Sequence, residues 1–125
     1  MIVLSKEQII LLHEQLIVRY GGSHGIRDEG LLESAISAPF QTFGGYDLFP
    51  TLTEKAVRLC VGLIQNHPFY DGNKRIGALA LLTTLDLNNL KLTTNSSELA
   101  SIILDLASGK IKDDTLLQWV IDRID

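Results

Sequence analysis

The sequence predicts an all-α helical bundle with one short flap or hairpin ahead of two central helices. Helix-start patterns, a short polar acceptor followed three residues later by Glu or Gln, open at Ser5-Lys6-Glu7-Gln8, Thr51-Leu52-Thr53-Glu54 and Asn95-Ser96-Ser97-Glu98. Apolar residues recur at helical spacing behind these starts. Two stretches, Ala56 to Ile64 and Ile76 to Leu87, are apolar on several faces, as the buried centre of a bundle must be.

The first helix runs from its Ser5 cap to about Arg19, with Ile9, Leu12 and Leu16 on its inner face and Gly21-Gly22 as its stop. His13 lies beside that stripe and is expected to be a structural histidine with a satisfied ring, not a ligand. His24, in a Gly-rich loop, faces solvent, and Asp28 caps a short second helix that ends before Pro39. From Phe40 to Pro50 the helical rhythm breaks, and aromatics alternate loosely around Gly44-Gly45, which fits either an irregular loop or a small hairpin. The helix opened by Thr51 then delivers His67 at its end. A second central helix begins at about Lys74 with Asn73 as its N-cap, and ends near Asn88-Asn89, where Asn tolerates a left-handed cap. Leu90-Lys91-Leu92 is too short to assign. The helix from Asn95 turns Leu99, Ile102, Ile103 and Leu106 inward and stops at Gly109. Asp113 or Asp114 caps the last helix, whose stripe is Leu116, Leu117, Val120, Ile121 and Ile124, with Trp119 packing at its flank.

Composition narrows the class. A chain of 125 residues is expected to form one domain, 1–125, large enough for a core without staples. Its single cysteine, Cys60, lies in an apolar helical stretch, which makes it a buried, inert thiol, excludes a disulfide within the chain and fits a reducing cytoplasm. The start is too short and too soon acidic for a signal peptide, and no apolar run is long enough for a bilayer. A net charge of −4 with scattered Lys and Arg argues against nucleic acid as a direct partner.

The chemistry concentrates in His67-Pro68-Phe69-Tyr70-Asp71-Gly72-Asn73-Lys74-Arg75, a polar loop between the two greasiest stretches. A helix cap needs only one Asn or Asp, which leaves an imidazole, a carboxylate, an ammonium and a guanidinium unexplained. Gly72 can take positive φ, so successive backbone N–H groups can converge on one concavity at a helix start that attracts anions. Lys74 and Arg75 sit in the first helical turn, where the macrodipole disfavours cations. An anionic ligand explains them. Asp71 is a hard oxygen ligand able to hold Mg²⁺ against phosphates. His67 can serve as general base, because an imidazole titrates close to physiological pH. Phe69 reads as a core plug that fixes the loop, and Tyr70 as pointing outward. From the residues alone the loop handles a nucleotide and a hydroxyl acceptor, by phosphoryl or nucleotidyl transfer. A hydrolytic metal site fits poorly, since His67 and Asp71 alone make no ligand set.

His67-x-Phe69-x-Asp71-Gly72-Asn73-x-Arg75 resembles the signature of the Fic/Doc family, H-x-F-x-[DE]-G-N-G-R-x-x-R, and Lys74 is similar to its Doc (death-on-curing) branch. Arg19-Tyr20-Gly21-Gly22, Gly25-Ile26-Arg27-Asp28 and Gly30-Leu31-Leu32-Glu33-Ser34-Ala35 extend the likeness over nearly the whole chain. The resemblance implies the helical Fic fold and a toxin of a toxin–antitoxin system. It implies a protein kinase that moves the ATP γ-phosphate, with Mg²⁺, to a threonine or serine hydroxyl of elongation factor Tu and so halts translation. Carried over, His67 is the base, Asp71 the metal ligand, Gly72 and Asn73 the shapers of the anion nest, and Lys74 and Arg75 the neutralisers of phosphoryl charge. In similar proteins a flap aligns the target peptide; here that is Phe43 to Phe49, with Phe43, Gly44, Gly45 and Tyr46 at its centre. Where adenylylating relatives carry Gly and a second Arg, this chain has Lys74 and Ala78, which disfavours AMP transfer. An adenylyltransferase, and a catalytically silent binding module, remain the alternatives. The inhibitory pattern [ST]-x-x-x-E-[GN] fails here: Gly25 precedes Glu29-Gly30, and Leu99 follows Thr94 and Glu98. Nothing in the chain is therefore expected to silence it. The resemblance implies a separate antitoxin whose C-terminal helix lies in a surface groove.

Overall fold

Six α-helices and one two-stranded hairpin make up the computed structural model, which describes residues 1–125. In chain order they are α1 (Lys6–Tyr20), α2 (Glu29–Ser37), a 3₁₀ turn (Ala38–Phe40), β1 (Thr42–Phe43), β2 (Tyr46–Asp47), α3 (Leu52–Gln65), α4 (Asn73–Leu87), α5 (Ser96–Ala107) and α6 (Asp113–Ile121). The all-α bundle with a short hairpin before its two central helices is the architecture the sequence predicts.

Local capping chemistry sets most of the helix starts. Ser5 accepts from the Gln8 amide while the Gln8 side chain accepts from the Ser5 N–H, a complete capping box. Asp28, Thr51 and Asn95 cap α2, α3 and α5 in the same position. At α3 the Glu54 carboxylate accepts from the Thr51 hydroxyl, so the reciprocal bond to the cap backbone is absent. Asp113 and Asp114 fall inside α6, not at its cap, which is Lys112; their carboxylates accept from the Asp114 and Thr115 amides. Between β1 and β2, Gly44 and Gly45 both take positive φ (59° and 84°), the requirement of the tight turn whose twist matches the paired strands. The segment left open as loop or hairpin is thus a hairpin.

The middle layer is α3 against α4. Nine α3 residues are buried, from Lys55 to Ile64. The two helices approach closely at Gly77, where an added Cβ would stand 2.7 Å from Ile64 Cγ1. This pair divides the apolar interior in two. On one side Val57, Val61, Leu81 and Leu85 meet Ile103, Leu106, Leu116 and Val120 of α5 and α6. On the other, Leu59, Leu63, Ile76 and Ala80 meet Ile9 of α1, Leu32 and Ala35 of α2, and Phe69. Of the expected α6 stripe, Leu116 and Val120 are buried while Ile121 is exposed; Trp119 packs half-buried, with the Arg123 guanidinium 4.4 Å from its ring.

One inner face differs from expectation. In α1 the buried positions are Ile9, His13 and Ile17, with Leu12 and Leu16 only half-buried. His13 belongs to the core because its ring stacks on Phe69 and its polar edge is satisfied, as described below. Leu92, in the unassigned stretch, bridges to Ile124, and Thr93 N donates to the Arg123 carbonyl, so this segment fastens the C-terminus. Cys60 is fully buried, and burial pushes its thiol up to about 12. No helix is long and apolar enough to cross a membrane.

Candidate active site

α3 ends at Gln65, and His67 follows two residues later with φ 51°, a left-handed backbone that only the surrounding structure can hold. The imidazole is therefore carried past the helix, not on its last turn. Its backbone is gripped by Arg27, whose guanidinium donates to the His67 carbonyl (2.7 Å) and the Asn66 carbonyl (3.0 Å). Arg27 thus also satisfies carbonyls at a helix C-terminus, where a cation is electrostatically favoured. The main chain around it continues the grip. Arg27 N and Asp28 N donate to the Pro68 carbonyl, Tyr70 N donates to the Gly25 carbonyl, and Ile26 bridges Phe69 in antiparallel sense. Gly25 to Asp28 is in effect a strand partner for the loop, a role that no local pattern in the sequence announced.

Phe69 plugs the loop into the core at 1% exposure, stacked on His13 with ring centroids 3.7 Å apart and planes within 9°. His13 Nε2 lies 2.7 Å from the Asp71 carbonyl oxygen; that oxygen only accepts, so Nε2 carries the hydrogen. Asn73 is not the N-cap. Gly72 is, at φ 76°, a conformation that favours glycine. Asn73 is buried as the first residue of α4, and its carboxamide spans the loop, accepting from Phe69 N (3.0 Å) and donating to the Phe69 carbonyl (3.0 Å). This one side chain satisfies both backbone groups of a buried residue.

The start of α4 differs from that of every other α-helix here. α1, α2, α3 and α5 have side-chain caps, and α6 has the two aspartates in its first turn. α4 has glycine at the cap, no side-chain acceptor and no acid in its first turn, and instead two exposed cations, Lys74 and Arg75. No side chain accepts from the Asn73, Lys74 or Arg75 amides, and the one carboxylate at this end, that of Asp71, bonds to the cap amide of Gly72 instead. Asp71, exposed beside them, accepts from Gly72 N (2.9 Å) and Ser23 N (3.3 Å) through separate oxygens, so each oxygen keeps a lone pair for a metal. The approach of the Gly22-Ser23 backbone to this carboxylate is close: a Cβ at Gly22 would stand 2.5 Å from Asp71 Oδ2.

His67, Asp71, Gly72 and Asn73 all lie on the segment that leads from α3 into α4. Lys74 and Arg75 border a groove of about 340 Å³ between α1, α4 and α5, floored by Leu16, Ala78, Leu79 and Leu99. In it the Arg75 guanidinium lies 4.7 Å from the centroid of the Tyr20 ring. The hairpin residues Phe43, Gly44, Gly45 and Tyr46 are all exposed. No group of three or more His, Cys, Asp or Glu side chains is assembled anywhere in the fold to hold a metal ion.

A model of the Fic/DOC family matches residues 3–85, which contain α1 to α3, the hairpin, the loop and nearly all of α4. Over 78 residues, 62% of the chain, the sequence is 38% identical to toxin Doc of Mycolicibacterium smegmatis, and the match spans only 60% of that protein's length. Over 108 residues, 86% of the chain, it is 34% identical to protein kinase doc of Escherichia phage P1, covering 84% of that protein.

Proposed function

The chain belongs to the Fic/DOC family, and from that premise we propose that it is a Doc-type toxin acting as a protein kinase. It transfers the γ-phosphoryl group of ATP to a threonine or serine hydroxyl of a translation factor, with elongation factor Tu as the target. The observation that carries this reading is the start of α4: amides without a side-chain acceptor, two first-turn cations, and an imidazole and a carboxylate in the adjoining loop. The names of the two relatives, a toxin and a protein kinase, support it.

The polyphosphate binds across the leading amides of α4, where the dipole end and nest favour negative charge. Asp71 would hold Mg²⁺ through its free lone pairs, the remaining ligands being phosphate oxygens and water; the ion would neutralise phosphate charge. His67 takes the proton of the target hydroxyl. Lys74 and Arg75 stabilise the negative charge that spreads over the transferring group. Phosphoryl transfer asks for positioning and electrostatics more than covalent chemistry, and a rigidly tied loop supplies the first. The exposed hairpin offers its edge to the target peptide.

Two further residues favour phosphoryl over adenylyl transfer. Lys74 fills the position where a glycine would leave the nest open, and Ala78 contributes only apolar wall to the groove. For the antitoxin helix we assign that groove, whose apolar floor and cationic end suit an amphipathic helix bearing acidic residues. Such a pair acts in the bacterial cytoplasm.

Incubation of the purified chain with Mg-ATP and elongation factor Tu, read by intact mass, tests this. The expected product carries one phosphoryl group, and His67→Ala yields none. An adenylyl adduct would establish the other transferase, and an unmodified target with wild-type protein would favour a silent binding module.

A further inference from the structure

The hairpin before α3 has little to lean on. Residues 41–48 are all exposed, and Phe43 and Tyr46 flank its turn at 80% exposure each. Two strands of two residues are not stable in water alone, so the hairpin's direction is set where it joins the helical body.

That junction is built on Lys55, in the first turns of α3. Its side chain is only 9% exposed, and its ammonium donates to the Asp47 carboxylate of β2 (3.3 Å) and to the Phe49 carbonyl just beyond. The ring of Phe40, ahead of β1, has its centroid 5.9 Å from the same nitrogen. One cation therefore touches both feet of the hairpin. Both feet of the hairpin are thus tied to one point on α3, and an outward swing gives up those charge-assisted contacts. None of these polar contacts reaches the loop from His67 to Arg75.

We propose that Lys55 is the positioning residue that aims the hairpin toward the protein substrate and thereby sets affinity for it. The inference rests on the phosphoryl-transfer reading above. Lys55 acts through the hairpin and leaves nucleotide binding and the chemical step alone.

Two variants test it. Lys55→Met keeps the aliphatic stem and removes the charge. Asp47→Ala removes the carboxylate from an exposed strand without touching the core. Both are expected to raise KM for the protein substrate at least about tenfold, the scale of losing a hydrogen bond to a charged group. Both should leave kcat and KM for Mg-ATP unchanged, and Lys55→Arg should stay close to wild type. Chymotrypsin cleavage after Phe43 and Tyr46 should accelerate in both variants, a readout that needs no activity. If wild-type protein transfers nothing, the kinase reading fails, and the cleavage rates still judge the anchor. A wild-type KM for the protein substrate would overturn the proposal whatever the cleavage rates, and so would wild-type cleavage rates; should Lys55→Met not fold, Asp47→Ala alone decides it.

Discussion

Replacing Asn73 by alanine should cost this protein far more stability than the loss of one polar side chain at a helix start normally does. The carboxamide makes two hydrogen bonds of 3.0 Å to the N–H and carbonyl of Phe69, and Phe69 itself is 1% exposed. Truncation leaves both groups, on a buried residue, without a protein partner. Each is left unpaired at about 1–3 kcal/mol, giving about 2–6 kcal/mol together. Alanine recovers about 0.5 kcal/mol through its better helix propensity. A net loss of about 2–5 kcal/mol is a large part of the roughly 5–15 kcal/mol that holds a domain together. Equilibrium urea unfolding followed by circular dichroism reads it directly. With a slope of about 1–3 kcal/mol per molar urea, the midpoint should fall by about 1–2 M. Asn73→Asp keeps an acceptor for the Phe69 N–H and loses the donor, so it should fall between alanine and wild type. An Asn73→Ala midpoint within about 0.3 M of wild type would refute the reasoning, since it would mean that the loop does not depend on this clasp.

Arg27→Ala removes both side-chain bonds to the Asn66 and His67 carbonyls; the fold should persist by circular dichroism while phosphoryl transfer drops about a hundredfold, the usual effect of misplacing a reacting group by about 1 Å. Gly22→Ala places a methyl against Asp71 Oδ2 at a backbone φ of 114°, where a side chain is strained; it should cost at least about 1 kcal/mol of stability in urea unfolding and raise the Mg²⁺ concentration needed for half-maximal transfer. Cys60 should resist thiol reagents in the native state and react only as fast as the protein opens, because it is fully buried. Its thiol is raised from 9.0 to about 12 in the fold, so the unfolded chain loses this proton first as pH rises. The contribution of Cys60 to stability is thus full below pH 9 and declines between about pH 9 and 12, so Cys60→Ala should make stability in urea titrations fall less steeply across that range.

The bundle was legible because its signals are local. Ser5, Asp28, Thr51 and Asn95 each cap a helix through an amide three residues away, a distance within which sequence and geometry cannot diverge far. Gly72 was legible for the same reason, since the turn into α4 needs a residue at positive φ. What escaped was long-range. Asn73 has the composition of a cap, but burial of Phe69 recruits it instead. His13 is the satisfied structural histidine that its place beside the apolar stripe predicts; what the sequence does not show is its partner, the Asp71 carbonyl 58 residues away. Arg27 and the strand-like pairing of Gly25 to Asp28 depend on tertiary contact, and only the likeness of that segment to known relatives hinted at them. Lys55 reads as an ordinary polar helix residue, and its burial follows from the hairpin folding over it. A common cause lies behind these cases: the loop from His67 to Arg75 is held by groups distant in sequence, so the residue types it carries are visible in the sequence and its supports are not.

The central claim is that the open N-terminus of α4 receives a polyphosphate beside His67. Titrating isotopically labelled protein with Mg-ATP, and following backbone amide resonances, addresses it most directly. The account predicts saturable shifts that are largest at Gly72, Asn73, Lys74 and Arg75, with His67 following. Amides there that stay unmoved at saturating nucleotide, or shifts confined to another part of the surface, would contradict it.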